Sequence, residues 1–530
     1  MTDEELKEQL SEPSSNYIRA VLERYCLNGD AFISEEKLYS LCKQQHEDLS
    51  YSVFTRDLRE QYAIHSLHRE GSRIYLDKIW RCEECTAQSL AELLHRTPLP
   101  QAVLRPPVRI DGFELTEEQC AAVSMALNNR ISIILGCAGS GKSTLIKAIV
   151  NRHATRFYVV CAPTGKAARN ITARTGIEAR TVHSACGLMP DEDFLPPVQW
   201  VLTSLVIVDE ASMLTLELLT HLLARAPADC RIVLIGDPNQ LPSVGAGNVI
   251  PDLLKLNVPS VLLTQNHRQA EDATALRCNV VRFKDLTSHS DLMLDESFQI
   301  HDVEDDALQE TLVRTAAEAY LSGTSFQLIT PYRKSTDYSC QALNPMIRNI
   351  LNPYSEKQLA ITDGIRTFHS GDRVMILNND RERNCNNGDI GILQVISIET
   401  VKKQVWNKLL DENIWIDVDK FSFFILLPDG RCPFWHGIQA KEAVSMLDLA
   451  YAITVHKAQG SQYDTVLMPV SMQMQNMLNR NLFYTAISRA TKKVLLFGSL
   501  QAVDIAVRRS LPQRRSVLVS KVQMQSMDNI

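Results

Sequence analysis

The chain has 530 residues, more than one hydrophobic core supports, which predicts three or four domains. Hydrophobic residues make up 45% of the chain and charged residues 22%, proportions typical of an ordinary globular protein. The formal net charge of -7 at pH 7 excludes a uniformly basic surface, although a local basic groove on an acidic body is compatible with it.

The N-terminus lacks the apolar segment of a signal peptide, and no apolar run reaches the length of a membrane span. We therefore expect no membrane association. The thirteen cysteines are scattered along the chain, which is typical of a reducing compartment and predicts a cytoplasmic protein. Cys82 and Cys85 form a C-x-x-C pair. Because a second pair at zinc-finger spacing is missing, free cysteines at helical spacing are favoured over a metal site completed by Cys26, Cys42 and His46.

Residues 1–110 predict a small N-terminal module and a linker. Amphipathic patterns predict three helices and two short strands, over Tyr17–Cys26, Glu35–Gln44, Ser52–Gln61, Ala63–Leu67 and Arg73–Leu76. This order is typical of a winged-helix-like module, which binds duplex nucleic acid or docks a protein partner. A further helix near residues 79–96 leads into a proline-rich linker.

A phosphate-binding loop identifies the next domain, residues 111–260. Gly136–Ser143 fits the pattern G-x-x-x-x-G-K-[ST] and lies between an apolar strand, Ile131–Leu135, and a helix-forming run, Thr144–Val150. Backbone N–H groups of such a loop surround phosphate oxygens, and the helix directs the positive end of its dipole at the same charge. We expect this loop to bind ATP through Gly136, Gly139, Ser140, Gly141, Lys142, Ser143 and Thr144.

Three side chains near the loop have more specific predicted roles. Lys142 is expected to reach the β- and γ-phosphates, and Ser143 to bind Mg²⁺. Gln119 lies upstream in a predicted helix, and its amide can pair with both the donor and the acceptor edge of adenine.

Acidic and amide side chains follow two later apolar strands. The strand Leu205–Val208 ends in Asp209 and Glu210, and the strand Arg231–Ile235 leads to Gln240. Asp209 is expected to hold Mg²⁺ through its water shell, and Glu210 to orient or deprotonate the attacking water. Gln240 is expected to sense the γ-phosphate. An acidic pair at a strand end is sometimes only a cap, but the upstream Lys142 loop favours ATP hydrolysis.

The second half of the chain alternates between two patterns. Residues 261–363 predict the first part of a second α/β domain, and residues 364–440 change to short alternating runs that predict a small inserted β-barrel. The α/β pattern returns over residues 441–530, which end in a basic tail. Two P-loop-like sheets are thus predicted, of which only one carries a glycine loop.

In combination, these motifs resemble a superfamily 1, group B helicase of the RecD-like family, with an AAA-type ATPase core. The resemblance covers roughly residues 111–500. It implies an α/β fold with two RecA-like domains, ATP between them, single-stranded DNA across their top and an SH3-like insert in the second. It also implies 5′-to-3′ translocation on single-stranded or tailed duplex DNA. The matching segments are 136–143, 162–168, 209–213, 236–245, 263–269, 371–375, 387–391, 452–461 and 484–489.

The resemblance also implies roles for individual residues. Lys142, Asp209, Glu210 and Gln240 would act from the first domain, while Arg268 and Arg489 would supply cations to the γ-phosphate from the second. DNA would be gripped alternately by two residue sets, which makes the protein an inchworm motor. These sets are Thr164, Lys166 and His183 in the first domain, and Thr454, His456 and Lys457 in the second.

One departure from the family bears on strand separation. The segment Gly187–Trp200 contains three prolines and leaves room for only a short version of the hairpin that the family uses to split duplexes. Two alternatives stay open from the sequence: an RNA-directed motor of the same superfamily, and a nucleotide-gated scaffold that binds nucleic acid without unwinding it.

Overall fold

The computed structural model describes residues 16–96, 109–153, 155, 157–188, 200, 202–265, 272–323, 325–380, 382–407 and 412–528. The chain divides into two compact units. The first comprises residues 1–265 and 511–530, and the second comprises residues 266–510. Across the described ranges, none of the helices combines the length and apolar character that crossing a membrane requires.

The first unit opens with a helical module and a three-stranded antiparallel sheet of order β1-β3-β2. The predicted helices are present, but the third helix, Tyr51–Ala63, ends later than expected. The hairpin therefore begins at Leu67 rather than near Ala63. The winged-helix character of this module stays a prediction. Its elements are α1 (Asn16–Cys26), β1 (Ile33–Ser34), α2 (Glu35–Gln45), α3 (Tyr51–Ala63), β2 (Leu67–Glu70), β3 (Arg73–Leu76) and α4 (Asp77–His95).

A six-stranded parallel sheet forms the rest of the first unit, in the order β11-β6-β10-β9-β7-β8. Its central strands are covered on both faces and therefore consist of buried apolar residues. The elements are β4 (Arg109–Ile110), β5 (Phe113–Glu114), α5 (Glu117–Asn128), β6 (Ile131–Gly136), α6 (Lys142–Arg152), β7 (Tyr158–Ala162), α7 (Gly165–Thr175), β8 (Arg180–Thr181), α8 (Val182–Ala185), β9 (Leu205–Val208), α9 (Leu216–Arg225), β10 (Arg231–Gly236), α10 (Val249–Lys255) and β11 (Ser260–Leu263).

The strand β11 corrects the predicted start of the second sheet near Val261. It pairs in parallel with β6, so it belongs to the first sheet, and the boundary between the units follows Gln265. A short apolar strand has the same local pattern in either sheet. Only its pairing partner decides which sheet it joins.

The second unit contains a five-stranded parallel sheet of order β12-β23-β22-β13-β21. Its elements are α11 (Thr274–Val281), β12 (Phe298–Asp302), α12 (Asp305–Leu321), β13 (Phe326–Thr330), α13 (Cys340–Leu351), β14 (Ala360–Thr362), β15 (Thr367–His369), β16 (Arg373–Ile376), β17 (Ile390–Asn407), β18 (Glu412–Leu426), β19 (Phe434–Gly437), α14 (Ala440–Ser445), β20 (Leu447–Leu449), β21 (Ala452–Thr454), α15 (Val455–Ala458), β22 (Tyr463–Val470), α16 (Arg480–Ile487), β23 (Ala490–Gly498) and α17 (Leu500–Arg508).

The predicted β-rich insert has its own core. An antiparallel sheet of order β19-β18-β17-β16-β20 and the hairpin β14–β15 enclose apolar residues such as Phe421, Phe423 and Trp435. Because β20 pairs with β16, this sheet extends to Leu449 and not only to residue 440. The apolar run around Leu449 therefore divides between the insert sheet and β21 of the parallel sheet.

The C-terminal residues correct a second predicted boundary. Residues 511–530 belong to the first unit, although the sequence pattern placed them at the end of the second α/β domain. The last helix, α18 (Leu518–Asp528), packs against α4, and Val517, Leu518 and Val522 join the core of the first unit. These apolar residues gain burial beside α4 and α10, so the basic tail leads into a packed helix.

Candidate nucleotide-binding site

The glycine loop connects β6 to α6 as the sequence predicted. Gly139 and Gly141 have positive φ angles of 93° and 82°, a backbone region that favours glycine. At Gly136, an added Cβ would lie 2.3 Å from Ser140 Oγ. The loop therefore wraps closely on itself, and the backbone N–H groups that precede α6 lie at the start of a helix of 11 residues.

The side chain of Lys142 folds back onto this loop. Its Nζ donates hydrogen bonds to the carbonyl oxygens of Gly136 at 2.8 Å and Cys137 at 3.0 Å. These bonds hold a cationic group beside the loop. Phosphate oxygens are stronger acceptors than backbone carbonyls because hydrogen bonds between ionised partners are shorter and stronger.

Gln119 lies against the loop, but its amide is partly engaged. An added Cβ on Gly141 would lie 2.5 Å from Gln119 Nε2. The Gln119 Oε1 accepts from the Thr116 N–H at 3.1 Å, and Thr116 Oγ1 accepts from the Gln119 N–H at 3.3 Å. This capping box of α5 was readable in the sequence as T-x-x-Q. The pairing of Gln119 with adenine stays a prediction. Pairing with both edges of the base requires Gln119 Oε1 to share or release the hydrogen bond that it accepts from the Thr116 N–H.

The predicted carboxylates follow β9, which is separated from β6 by β10 alone. Asp209 is buried, and its Oδ1 accepts from the Glu210 N–H at 2.9 Å. Burial and the neighbouring charge of Glu210 raise the pKa of Asp209, whereas the positive charge of Lys142 lowers it. The charge of Lys142 thus acts on Asp209 at the end of β9.

Glu210 adopts a left-handed backbone conformation, with φ at 52°. Such a conformation costs a residue other than glycine about 1–3 kcal/mol, and strained residues of this kind cluster at active sites and ligand-binding sites. Its Oε2 is buried and accepts no hydrogen bond from the residues that the structure describes. A strained backbone therefore presents a carboxylate oxygen that has no protein donor there.

Sequence reasoning missed a further acidic residue. Asp237 follows β10 directly and is fully buried. Its oxygens accept from the Asn239 N–H at 3.1 Å and from Gln240 Nε2 at 3.3 Å, so it orients the predicted γ-phosphate sensor. The signal was present in the sequence, because Asp237 ends an apolar strand in the same way as Asp209.

The donor set suits a nucleotide with a hard divalent cation. Ser140 Oγ, Glu210 Oε2 and Ser212 Oγ are buried without a hydrogen-bond partner in the described part of the chain, a state that costs free energy unless a ligand supplies one. Within those same ranges, no group of three His, Cys, Asp or Glu side chains could hold a metal ion. Oxygen groups of this kind suit Mg²⁺, which is usually held by one or two protein oxygens together with substrate phosphates and water.

Three threonines at strand ends cap the helices that follow them. Thr164 Oγ1 accepts from the Ala167 N–H at 3.2 Å, and Thr454 Oγ1 accepts from the Lys457 N–H at 3.3 Å. Thr181, which was not singled out in the sequence, accepts from the Ser184 N–H at 3.0 Å. The hydroxyls of Thr164 and Thr454 therefore have helix-capping contacts in addition to their predicted role toward nucleic acid.

The predicted basic contacts lie in the first turns of these helices. Lys166 is in α7, His183 in α8, and His456 and Lys457 in α15. Burial lowers the pKa of both histidines and of Lys457. Lys457 Nζ donates to Asn387 Oδ1 of the insert at 2.7 Å. The neutral form of each imidazole is therefore favoured.

Of the two predicted arginines, the structure describes Arg489. Arg489 is 2% exposed, and its guanidinium donates from Nε to the Thr485 carbonyl at 3.0 Å and from Nη2 to Ser488 Oγ at 3.2 Å. Arg268 lies outside the described residues, as does the central part of the predicted short hairpin, residues 189–199.

Cys82 and Cys85 lie on α4 at helical i,i+3 spacing, as expected. Cys82 is buried and Cys85 is exposed. Cys85 lines a cavity of about 1050 Å³ within the first unit, between the N-terminal module and residues 244–246. Among the described residues that line this cavity, none belongs to the glycine loop.

Three protein families match separate parts of the chain. Residues 114–305 match an AAA domain, residues 343–406 match the SH3 domain of ATP-dependent RecD-like DNA helicases, and residues 449–497 match a UvrD-like helicase C-terminal domain. The SH3 match overlaps the β-rich insert, in agreement with the sequence prediction.

The chain is also similar to individual helicases. It is 31% identical over 460 residues to the ATP-dependent RecD2 DNA helicase of Deinococcus radiodurans, which covers 85% of this chain but only 59% of that relative. It is 26% identical over 487 residues to the RecD subunit of the RecBCD enzyme of Mycolicibacterium smegmatis, covering 83% of this chain and 80% of the relative. A solved structure of Bacteroides Pif1 bound to single-stranded DNA is 20% identical, with a TM-score of 0.43, and covers 73% of this chain and 93% of that one.

Proposed function

The chain is a homologue of the RecD-like helicases, and from this relationship we propose that it is an ATP-dependent 5′-to-3′ single-stranded DNA translocase and helicase. Its proposed setting is DNA repair, recombination or mobile-element biology, in the cytoplasm. The substrates are single-stranded DNA and tailed duplex DNA. The N-terminal module is proposed to bind a protein partner.

One observation carries this proposal. The glycine loop with Lys142, the Asp209–Glu210 pair and Gln240 follow β6, β9 and β10, which are neighbours in one parallel sheet. Ligands of open parallel sheets bind at the carboxyl ends of the strands. A cationic, an acidic and an amide side chain therefore converge where a polyphosphate would lie.

The proposed roles follow from the chemistry of each group. The loop N–H groups and Lys142 bind the β- and γ-phosphates, and Gln119 contacts the base. Ser143 and Asp209 hold Mg²⁺, which neutralises charge on the phosphate oxygens when bound. Glu210 orients the attacking water.

Gln240, held by Asp237, contacts the γ-phosphate. The family motifs add Arg268 and Arg489 as cations for the γ-phosphate, because phosphoryl transfer depends on positioning and on charge neutralisation.

Nucleic acid is proposed to contact the capped helices that follow strands in both units. The basic side chain of Lys166, the neutral imidazoles of His183 and His456, and Lys457 are suited to phosphodiester and base contacts. Thr164 and Thr454 add hydroxyls at the same helix starts. In this inchworm mechanism, each cycle of ATP hydrolysis alternates the grip between the two sets.

A steady-state ATPase assay with and without a single-stranded oligonucleotide tests this function. We expect DNA to stimulate turnover more than RNA of equal length. The RNA-directed motor predicts the opposite preference, and a nucleotide-gated scaffold predicts no stimulation by either.

Strand displacement on duplexes with a 5′ or a 3′ single-stranded tail tests polarity and unwinding together. We expect displacement from the 5′-tailed duplex alone. ATPase stimulation without displacement from either duplex would identify a translocase that does not unwind, in accord with the short hairpin segment between Gly187 and Trp200.

A further inference from the structure

The loop after the proposed γ-phosphate sensor is packed on one side and open on the other. Ser243–Gly247 begins three residues after Gln240, and Gly245 and Gly247 have φ angles of 124° and 106°. Val244 is 60% exposed, and residues 244–246 border the cavity of about 1050 Å³. On the packed side Ala246 is buried in the core of the first unit, and its carbonyl accepts from the Leu216 N–H at 3.2 Å. The open side around Val244 is held by the hydrogen bonds described next.

A single arginine from the C-terminal segment supplies several of those bonds. Arg514 Nη1 donates to Ser243 Oγ at 3.1 Å and to the Gly247 carbonyl at 2.9 Å, and it lies 3.4 Å from the Gly245 carbonyl. Its Nη2 donates to the Ser243 carbonyl. The rigid fork of donors in a guanidinium suits such a set of acceptors, which a lysine ammonium matches less well.

The N-terminal module contacts the same loop. The Gly245 N–H donates to the Leu27 carbonyl at 3.3 Å, and the Gly247 N–H donates to the Gly29 carbonyl at 2.9 Å. At Gly29, where φ is 106°, an added Cβ would lie 2.1 Å from Arg514 Nε. The turn after α1, the guanidinium and the sensor loop are thus in mutual contact.

The backbone around Arg514 is anchored on both sides of this contact. The Arg515 N–H donates to Asp30 Oδ1 at 2.7 Å, and the Arg515 carbonyl accepts from the Ala31 N–H at 2.8 Å. Further along, the Val517 N–H donates to Glu83 Oε1 at 3.2 Å. Arg514 is therefore held in place by residues of the N-terminal module.

We propose that Arg514 is a positioning residue that sets the response of Gln240 to the γ-phosphate. It acts by fixing Ser243–Gly247, three residues after Gln240, and it makes that response depend on the N-terminal module. This inference rests on the proposed role of Gln240 as a γ-phosphate sensor. Contact with a triphosphate requires the sensor loop to be held, whereas binding of ADP does not.

The test compares ADP with a non-hydrolysable ATP analogue in the full-length chain. For Arg514→Ala we expect analogue affinity and kcat to fall about tenfold, as for the loss of hydrogen bonds from a charged donor, while ADP affinity is unchanged. Arg514→Lys should recover part of the loss. Arg515→Ala is the matched control, because Arg515 makes its contacts to Asp30 and Ala31 through its backbone.

A second variant guards against misfolding as an explanation. Gly29→Ala leaves Arg514 and its acceptors in the chain but displaces the guanidinium, so it should reproduce the selective loss of analogue affinity. Unchanged ADP affinity shows that the first unit is folded.

Two different results distinguish a failure of the inference for Arg514 from a failure of the proposed role of Gln240. An equal change in ADP and analogue affinity, or no change in either, would overturn the inference for Arg514. A wild-type chain that does not distinguish the analogue from ADP would remove the proposed role of Gln240, and the inference with it.

Discussion

The two parallel sheets can be compared by what the buried polar side chains around them contact. In the second unit, Gln327 Nε2 donates to the carbonyls of Ala450 and Tyr451, and Asn344 exchanges hydrogen bonds with both backbone groups of Ala452. These amides connect β13 and α13 to the chain that leaves the insert. Their hydrogen-bonding capacity is used within the protein, so they are structural.

Other buried polar atoms are not satisfied by the protein. In the first unit, Ser140 Oγ, Glu210 Oε2 and Ser212 Oγ have no hydrogen-bond partner among the described residues. The second unit has a related case, because Ser461 Oγ and Tyr463 Oη are also buried without a partner there. Both follow α15, where nucleic-acid contacts are proposed. Buried polar atoms that the protein does not satisfy thus occur in both units near proposed ligand sites.

A short sequence is common to both units and folds in the same way. Thr181-Val182-His183 and Thr454-Val455-His456 each place a threonine at the end of a parallel strand and a histidine in the four-residue helix that it caps. Burial lowers the pKa of both histidines. The units therefore share the strand–cap–helix arrangement, whereas the glycine loop belongs to the first unit alone.

The largest expected effect tests whether the second unit contributes to ATP hydrolysis. Arg489→Gln should lower DNA-stimulated ATP turnover about 10³-fold or more, the range found for arginines that stabilise transferring phosphates. The measurement is steady-state ATPase, with Lys492→Gln as control because this exposed cation lies on the adjoining strand β23. Turnover equal to wild type would assign Arg489 a purely structural role within its own unit.

A somewhat smaller loss is expected from the first unit. Glu210→Gln should lower kcat about 10²–10⁴-fold, as for removal of a general base, while ATP affinity is retained. Turnover and binding of a fluorescent ATP analogue measure the two quantities. Glu114→Gln, at an exposed position on β5, is the control. Loss of ATP binding together with turnover would contradict a role limited to the attacking water.

The next prediction concerns the C-terminal segment, which packs on the first unit. Glu83 accepts from Ser516 Oγ and from the Val517 N–H, and burial raises its pKa from 4.5 to about 7. Lys521 favours its ionised form, and Asp252 opposes it. The folded carboxyl therefore keeps a proton that the unfolded chain loses above its ordinary pKa. Glu83 therefore makes its full contribution to the free energy of unfolding below pH 4.5, and this contribution is lost as the pH rises toward 7.

A neutral amide at this position removes the buried charge but retains an acceptor oxygen. Glu83→Gln should raise the free energy of unfolding at pH 8 by up to about 3 kcal/mol, and by much less at pH 5. Urea unfolding at the two pH values measures the difference. Glu84→Gln, which removes a partly exposed ion pair with Lys521, should give no such gain. An equal effect of Glu83→Gln at both pH values would show that Glu83 is not protonated in the folded chain.

The smallest expected effect compares the two threonine caps directly. Thr181→Ala and Thr454→Ala should each lower the free energy of unfolding by about 1 kcal/mol, because each leaves one helix N–H without its side-chain acceptor. Unfolding by urea measures both. The matched variants Thr181→Ser and Thr454→Ser retain a hydroxyl and should stay close to wild type. A serine variant as unstable as the alanine variant would rule out the cap as the cause.

Elements defined by local sequence were predicted closely. Leu205–Val208 and Phe326–Thr330 are strands over the predicted residues, and the glycine loop lies between a strand and a helix as its pattern indicates. Such features depend on apolar runs, turn residues and capping side chains within a few positions of each other. The proposed ATP-site residues Lys142, Asp209 and Glu210 were singled out from local sequence in the same way.

Contacts between distant residues were decided by the tertiary structure alone. The pairing of β11 with β6, the return of α18 to α4 and the contact of Arg514 with Ser243 join segments whose local patterns are compatible with other partners. The pattern of a short apolar strand or an amphipathic helix predicts that the element is buried, but it does not identify the element against which it packs. The sequence by itself determined the chemistry of the proposed site, and long-range packing decided which segments hold it in place.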